Sequence, residues 1–258
     1  MKQVGRFSRL LACAVALGSI LIAESAQAAA GKAVVRAVRG TADFSDGGGS
    51  WKKMRVGTIL RQNAVVRTAA DSSVDLFLDM NGPVVRVTEN TQVGLDRLSF
   101  EETGVETVID TGIDLKDGRI LGNVKKMAQA SKYEVKTPNG VAGIRGTEYD
   151  ISANGKVLVI SGSVVVISGG QTFVVNAGEM FDPGSKSVKK AEPQVLSDVG
   201  QTIADVTKVV TEGTAVVDLD AVPQPPQDPT KTSDEAVDNY RNSQGEQGAN
   251  RTGTGAGG

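Results

Sequence analysis

Histidine is absent from this chain of 258 residues, and its single cysteine, Cys13, sits in the first apolar run. Ser/His and Cys/His nucleophilic centres are thereby excluded after residue 28, and so are imidazole metal sites. Carboxylates remain as acid–base groups. Asp75 and Asp79 alternate with Val74, Leu76 and Leu78, with Phe77 between them. A strand would set both acids on one face, and the alternation makes that the solvent face. Exposed carboxylate pairs are usually solvated surface rather than catalytic pairs. Asp79-x-Asn81-Gly82 opens like a calcium loop, but no acid stands at the loop's closing position, so no metal and no cofactor is expected.

Arg145 is the remaining candidate. Gly143 and Gly146 flank it, and Pro138 fixes a corner upstream. Its guanidinium has two readings. It could be satisfied inside the fold by carbonyls and by Glu148 or Asp150, or it could meet an anionic ligand. Because a strand pattern resumes directly after it, the first reading is preferred: a fold corner before a site.

The elements that must position these residues are short β-branched runs punctuated by Gly, Asn and Asp. Val84, Val85 and Val87 follow the turn residues Asp79-Met80-Asn81-Gly82. Val157–Ile160, Val164–Ile167 and Phe173–Val175 are separated by Gly162 and by Gly169-Gly170. Turn signals at this spacing predict an all-β domain over 29–190, either a two-sheet sandwich or a short β-helix-like roll. A weak echo runs through it. AVVRAVRGTADF with the later RVGTIL resembles VLVISGSVVVIS with the later VVNAGEMF, which suggests stacked coils or matching halves.

Beyond Pro193 the period changes. Val195, Leu196, Val199, Ile203, Val206 and Val210 fall at steps of three and four, predicting an amphipathic helix over 193–213. Ser197 or Asp198 could cap it and Gly213 could end it. The segment 222–258 is poor in apolar residues and reads as a disordered tail.

At the other end, Lys2, Arg6 and Arg9 precede an apolar run from Leu10 to Ile22, followed by Ala26-Gln27-Ala28. This is the pattern of a signal peptide cleaved after Ala28, and it places the protein in the periplasm or outside the cell. Losing Lys2, Arg6, Arg9 and Glu24 leaves 25 basic and 29 acidic residues, a net charge of −4. A mildly acidic chain without a basic cluster is not built for nucleic acid, and no later run is apolar enough for a membrane anchor.

The segment YEVKTPNG-VAGIRGTEYDI, followed by VLVISGSVVVI and VNAGEM, resembles the signature half of the FecR domain family. The motif positions are Thr137, Pro138, Ala142, Ile144, Arg145, Gly146, Thr147, Glu148 and Tyr149. Trp51, Gly57, Leu60, Val66-Arg67-Thr68 and the run from Ser73 to Leu95 agree with the earlier half, so the resemblance spans Val34 to Phe181. It implies an exported β-module that binds an envelope or outer-membrane protein without catalysis. The best-known members are sensors in iron-citrate signalling, with a cytoplasmic sigma-regulating segment and a membrane span. Here a cleavable leader is expected in their place. A binding or scaffolding role therefore leads, with a periplasmic sensor and a carboxylate-based glycan-active enzyme as alternatives.

Overall fold

The computed structural model describes residues 28–212, apart from 48 and 83. The expected leader up to Gln27, the helix stop at Gly213 and the 222–258 tail lie outside the described residues.

Two sheets, of ten and nine strands, face each other across one core. Alternation decides which side chains meet there. In Ser73–Phe77, Val74 and Leu76 point into the core and Asp75 and Phe77 point away from it. The chain feeds the sheets in turn. Gln92–Glu102 and Thr107–Asp117 form a hairpin in the ten-stranded sheet. Arg119–Asn123 then joins the nine-stranded sheet, and Lys132–Thr137 returns to pair parallel with Thr107–Asp117. That crossover is a single coil of a roll inside what is otherwise an antiparallel sandwich. Both geometries foreseen for the all-β domain are thus combined in one molecule.

The sequence echo has a structural counterpart. Ala33–Arg39 and Val157–Ser161 both lie in the nine-stranded sheet, and the strand after each, Ala42–Ser45 or Ser163–Ser168, lies in the ten-stranded one. The chain then comes back through Gly57 or Gly178, at φ 84° and 81°. The Gly57 N–H donates to the Val35 carbonyl at 2.8 Å, and the Gly178 N–H donates to the Val159 carbonyl at 2.9 Å. Leu60 then pairs with Ala33 as Phe181 pairs with Val157. The two units sit toward opposite edges of the sandwich.

The C-terminal helix, Pro193–Thr211, lies on the outer face of the nine-stranded sheet. Val199 and Ile203 pack on Leu121 and Leu158, while Val206 and Val210 meet Val84 and Phe77. Each such side chain contributes roughly 1.5–3 kcal/mol when fully buried, which offsets the weak helix propensity of its valines and threonines. Two details differ from the sequence reading. Pro193 occupies the first turn, with its φ already set for a helix, so Ser197 and Asp198 lie inside the helix and cap nothing. Val195 faces water instead of the sheet.

The helix also overturns the solvent-face assignment of the carboxylates. Asp75 is 1% exposed and forms a two-pronged ion pair with Arg86, Oδ1 to Nε at 2.6 Å and Oδ2 to Nη2 at 2.7 Å. Asp79 is not on that strand. It begins a single 3-10 turn, Asp79–Asn81, and lies 3.5 Å from Lys32.

Candidate functional site

The segment from Lys132 to Ser152 is a corner that carries the chain from one sheet to the other. Thr137 Oγ1 donates to the Gly140 carbonyl and accepts the Asn139 N–H, which holds the Pro138 turn closed. Gly140–Ile144 then runs in the ten-stranded sheet, with Ala142 and Ile144 turned into the core. After the turn at Arg145-Gly146, Glu148–Ser152 belongs to the nine-stranded sheet.

Each side of the corner is pinned. Buried Thr147 donates through Oγ1 to the Ser163 carbonyl at 2.8 Å, and its own carbonyl accepts the Val124 N–H at 3.0 Å. Tyr149 is fully buried, its hydroxyl 3.1 Å from that of Tyr133, with the rings edge to face at 6.3 Å. Burial pushes both phenols above the ordinary tyrosine range. Glu148 accepts weakly from Asn123 Nδ2 and Ser161 Oγ. Asp150 is held by Arg119, whose guanidinium donates to both carboxylate oxygens. That pairing raises the arginine's pKa further.

Arg145 stands apart. The carboxylates expected to hold it are engaged by Asn123, Ser161 and Arg119, which reach them from the two adjacent strands. Its side chain is exposed and makes no ion pair among the described residues. The reading of Arg145 as an internal structural arginine is therefore corrected. The corner is held by its neighbours, and its guanidinium has no partner among the described residues.

Gly146 connects this turn to a second feature. At φ 64° it lets the corner lie against Lys126, whose Cα would be 3.1 Å from a side chain placed there. Lys125 and Lys126, both exposed, form one rim of an open cleft of about 560 Å3. Phe77, Ile109, Val124 and Met127 make it largely apolar, and Asp79 and Glu106 add acids at its border. Lys125-Lys126 carries no periodic or turn signal in the sequence, so the cleft was not legible there. Among the described residues, no three His, Cys, Asp or Glu side chains converge as a metal site would require. The geometry offers cations, apolar surface and a rigid corner, which is binding chemistry.

Residues 64–165 match the family model described as FecR protein. Over that segment the chain is similar to the FecR family. The match lies inside the Val34–Phe181 stretch of the sequence resemblance and includes the whole Arg145 corner. Two crystal structures from Parabacteroides distasonis, each of a proposed anti-sigma factor, are similar at 14% identity. The first covers 52% of this chain and 62% of its own at a TM-score of 0.41, the second 56% and 68% at 0.31. This chain spans 62% of the length of the first of these structures. No curated protein is significantly similar in sequence. Among the described residues, no helix is long and apolar enough to cross a membrane.

Proposed function

We propose that this chain is a FecR-domain protein exported to the cell envelope. There it works as a non-enzymatic binding or scaffolding module whose Arg145 corner takes an acidic stretch of a protein partner. One observation carries the reading: among the charged motif residues, Arg145 alone has its charge in solvent and no partner among the described residues, on a turn that the fold holds rigid. Lys125 and Lys126 lie beside it and extend the positive surface toward the apolar cleft. Guanidinium groups suit carboxylate recognition because their donors form a planar fork. The leader pattern of Lys2, Arg6, Arg9 and Ala26-Gln27-Ala28 supports export.

A second reading shares this surface. The match to the FecR model favours a periplasmic sensor that passes occupancy to a membrane regulator, and the partner's identity separates the two. A photo-crosslinking residue at position 145, introduced in living cells, should capture a defined protein that the same probe at Val105, on the opposite rim's hairpin, does not capture. A membrane-spanning regulator among the captured proteins would favour the sensor; another envelope protein would favour the scaffold. Equal or absent capture at both positions would overturn the contact surface.

A further inference from the structure

Among the described residues, four strands end the main strand orders of the two sheets, and three of them are blunted. Lys52–Lys53 and Ile59–Leu60 are two residues long, and Ser187–Lys190 carries two lysines. Short edges and edge lysines are the usual defence against pairing with another chain. The fourth edge, Gln171–Asn176, has none of it. It is six residues long, QTFVVN, with no charge and no proline. The contrast is sharper because Lys52–Lys53 is the edge of the same sheet at its other end.

The open edge also carries apolar surface. Val174 on it and Val165 and Ile167 on the next strand are 54%, 42% and 50% exposed. Val165 lies opposite Val174 and opposite Gly143, and no side chain covers that glycine. The backbone alternation shows which groups are unpaired. Ala177 N–H donates inward to Gly162, while Asn176 N–H turns away to the Glu179 carboxylate at 2.9 Å. Thr172 and Val174, in phase with Asn176, therefore direct their N–H and C=O groups to the free side.

We propose that two copies of this chain pair antiparallel along Gln171–Asn176, about a two-fold axis at Val174, and join their ten-stranded sheets. The register follows from the free groups. Val174 opposes its symmetry mate and exchanges both backbone hydrogen bonds with it, and Thr172 opposes Asn176. Charge selects a second copy as the occupant. Lys186 Nζ lies over Gly169 at one end of the edge and has no carboxylate partner among the described residues. Glu179 stands at the other end, bonded to Asn176. An antiparallel self-pairing brings Lys186 of each copy to Glu179 of the other, twice by symmetry. The lysines of Ser187–Lys190, on the companion edge, repel a second copy there and confine the pairing to one sheet.

Sedimentation velocity over a concentration series, on protein recovered from cells, tests this directly. Wild type should sediment as a dimer. Val174→Lys places two like charges across the axis and should raise the dimer dissociation constant at least about tenfold, while the monomer keeps its β-rich circular dichroism spectrum. Glu179→Lys should weaken the dimer, and Glu179→Lys with Lys186→Glu should restore it. A wild type that stays monomeric up to several hundred micromolar would overturn the proposal and leave the edge to a strand of another protein. A dimer indifferent to Val174→Lys, or a charge swap without rescue, would also overturn it.

Discussion

Replacing Asp75 with alanine removes one half of an ion pair that the C-terminal helix and its sheet enclose. Asp75 is 1% exposed and the Arg86 side chain 13% exposed, with contacts of 2.6 and 2.7 Å. Breaking a buried pair costs about 3–5 kcal/mol, because the remaining charge stays desolvated. Arg86 retains a little access to water, so the lower figure, about 3 kcal/mol, is expected. With a urea m-value of about 2 kcal/mol/M, that lowers the unfolding midpoint by about 1.5 M. The exposed pair Asp46–Lys52, at 54% and 56% exposure, gives the internal contrast. Asp46→Ala should cost less than about 1 kcal/mol. Asp75→Leu with Arg86→Met should recover most of the loss, since apolar groups of similar volume substitute well for a buried pair. Urea unfolding followed by circular dichroism measures all of these. A loss below about 1 kcal/mol for Asp75→Ala would refute the reasoning and return Asp75 to the solvent face.

Two further outcomes follow from the interior. Burial raises the folded-state pKa of Tyr133 and Tyr149 above the ordinary value, so above pH about 10 the unfolded chain releases protons that the folded chain keeps. Stability is then full below pH about 10 and declines as pH rises beyond it, and Tyr133→Phe with Tyr149→Phe should flatten that decline; absorbance at alkaline pH together with urea midpoints checks both. Gly122→Ala would place a methyl group into the Tyr149 ring, whose position is fixed by the core. It should cost about 1–3 kcal/mol by overpacking, read as a lower melting temperature.

The short strands around Val74, Val84, Val157, Val164 and Phe173 and the C-terminal helix were legible because each rests on local periodicity, whereas the long hairpin of Gln92–Glu102 and Thr107–Asp117 was not among the elements foreseen. Alternation marked Val74 and Leu76 as inward, and the echo of Gly57 and Gly178 marked two returns that share one hydrogen-bond pattern. What failed at Asp75, Arg145 and the cleft was set by distant partners. Asp75 looked solvent-facing because the helix that covers its sheet face begins over a hundred residues later, at Pro193. Arg145 looked internal because Glu148 and Asp150 are near in sequence. Arg119 and Asn123, which occupy those carboxylates, arrive from a neighbouring strand. The cleft depends on the same crossover: Val124 to Met127 approach the Asp79–Asn81 turn only after the chain has changed sheets.

The central claim is that the Arg145 corner is built by its neighbours and leaves its own guanidinium free. Urea unfolding of Arg145→Ala beside wild type tests it most directly. An exposed, unpaired arginine predicts midpoints equal to within about 0.5 kcal/mol. A loss on the order of 3 kcal/mol, poorly rescued by Arg145→Lys, would show that the guanidinium is held inside the fold and would contradict the account.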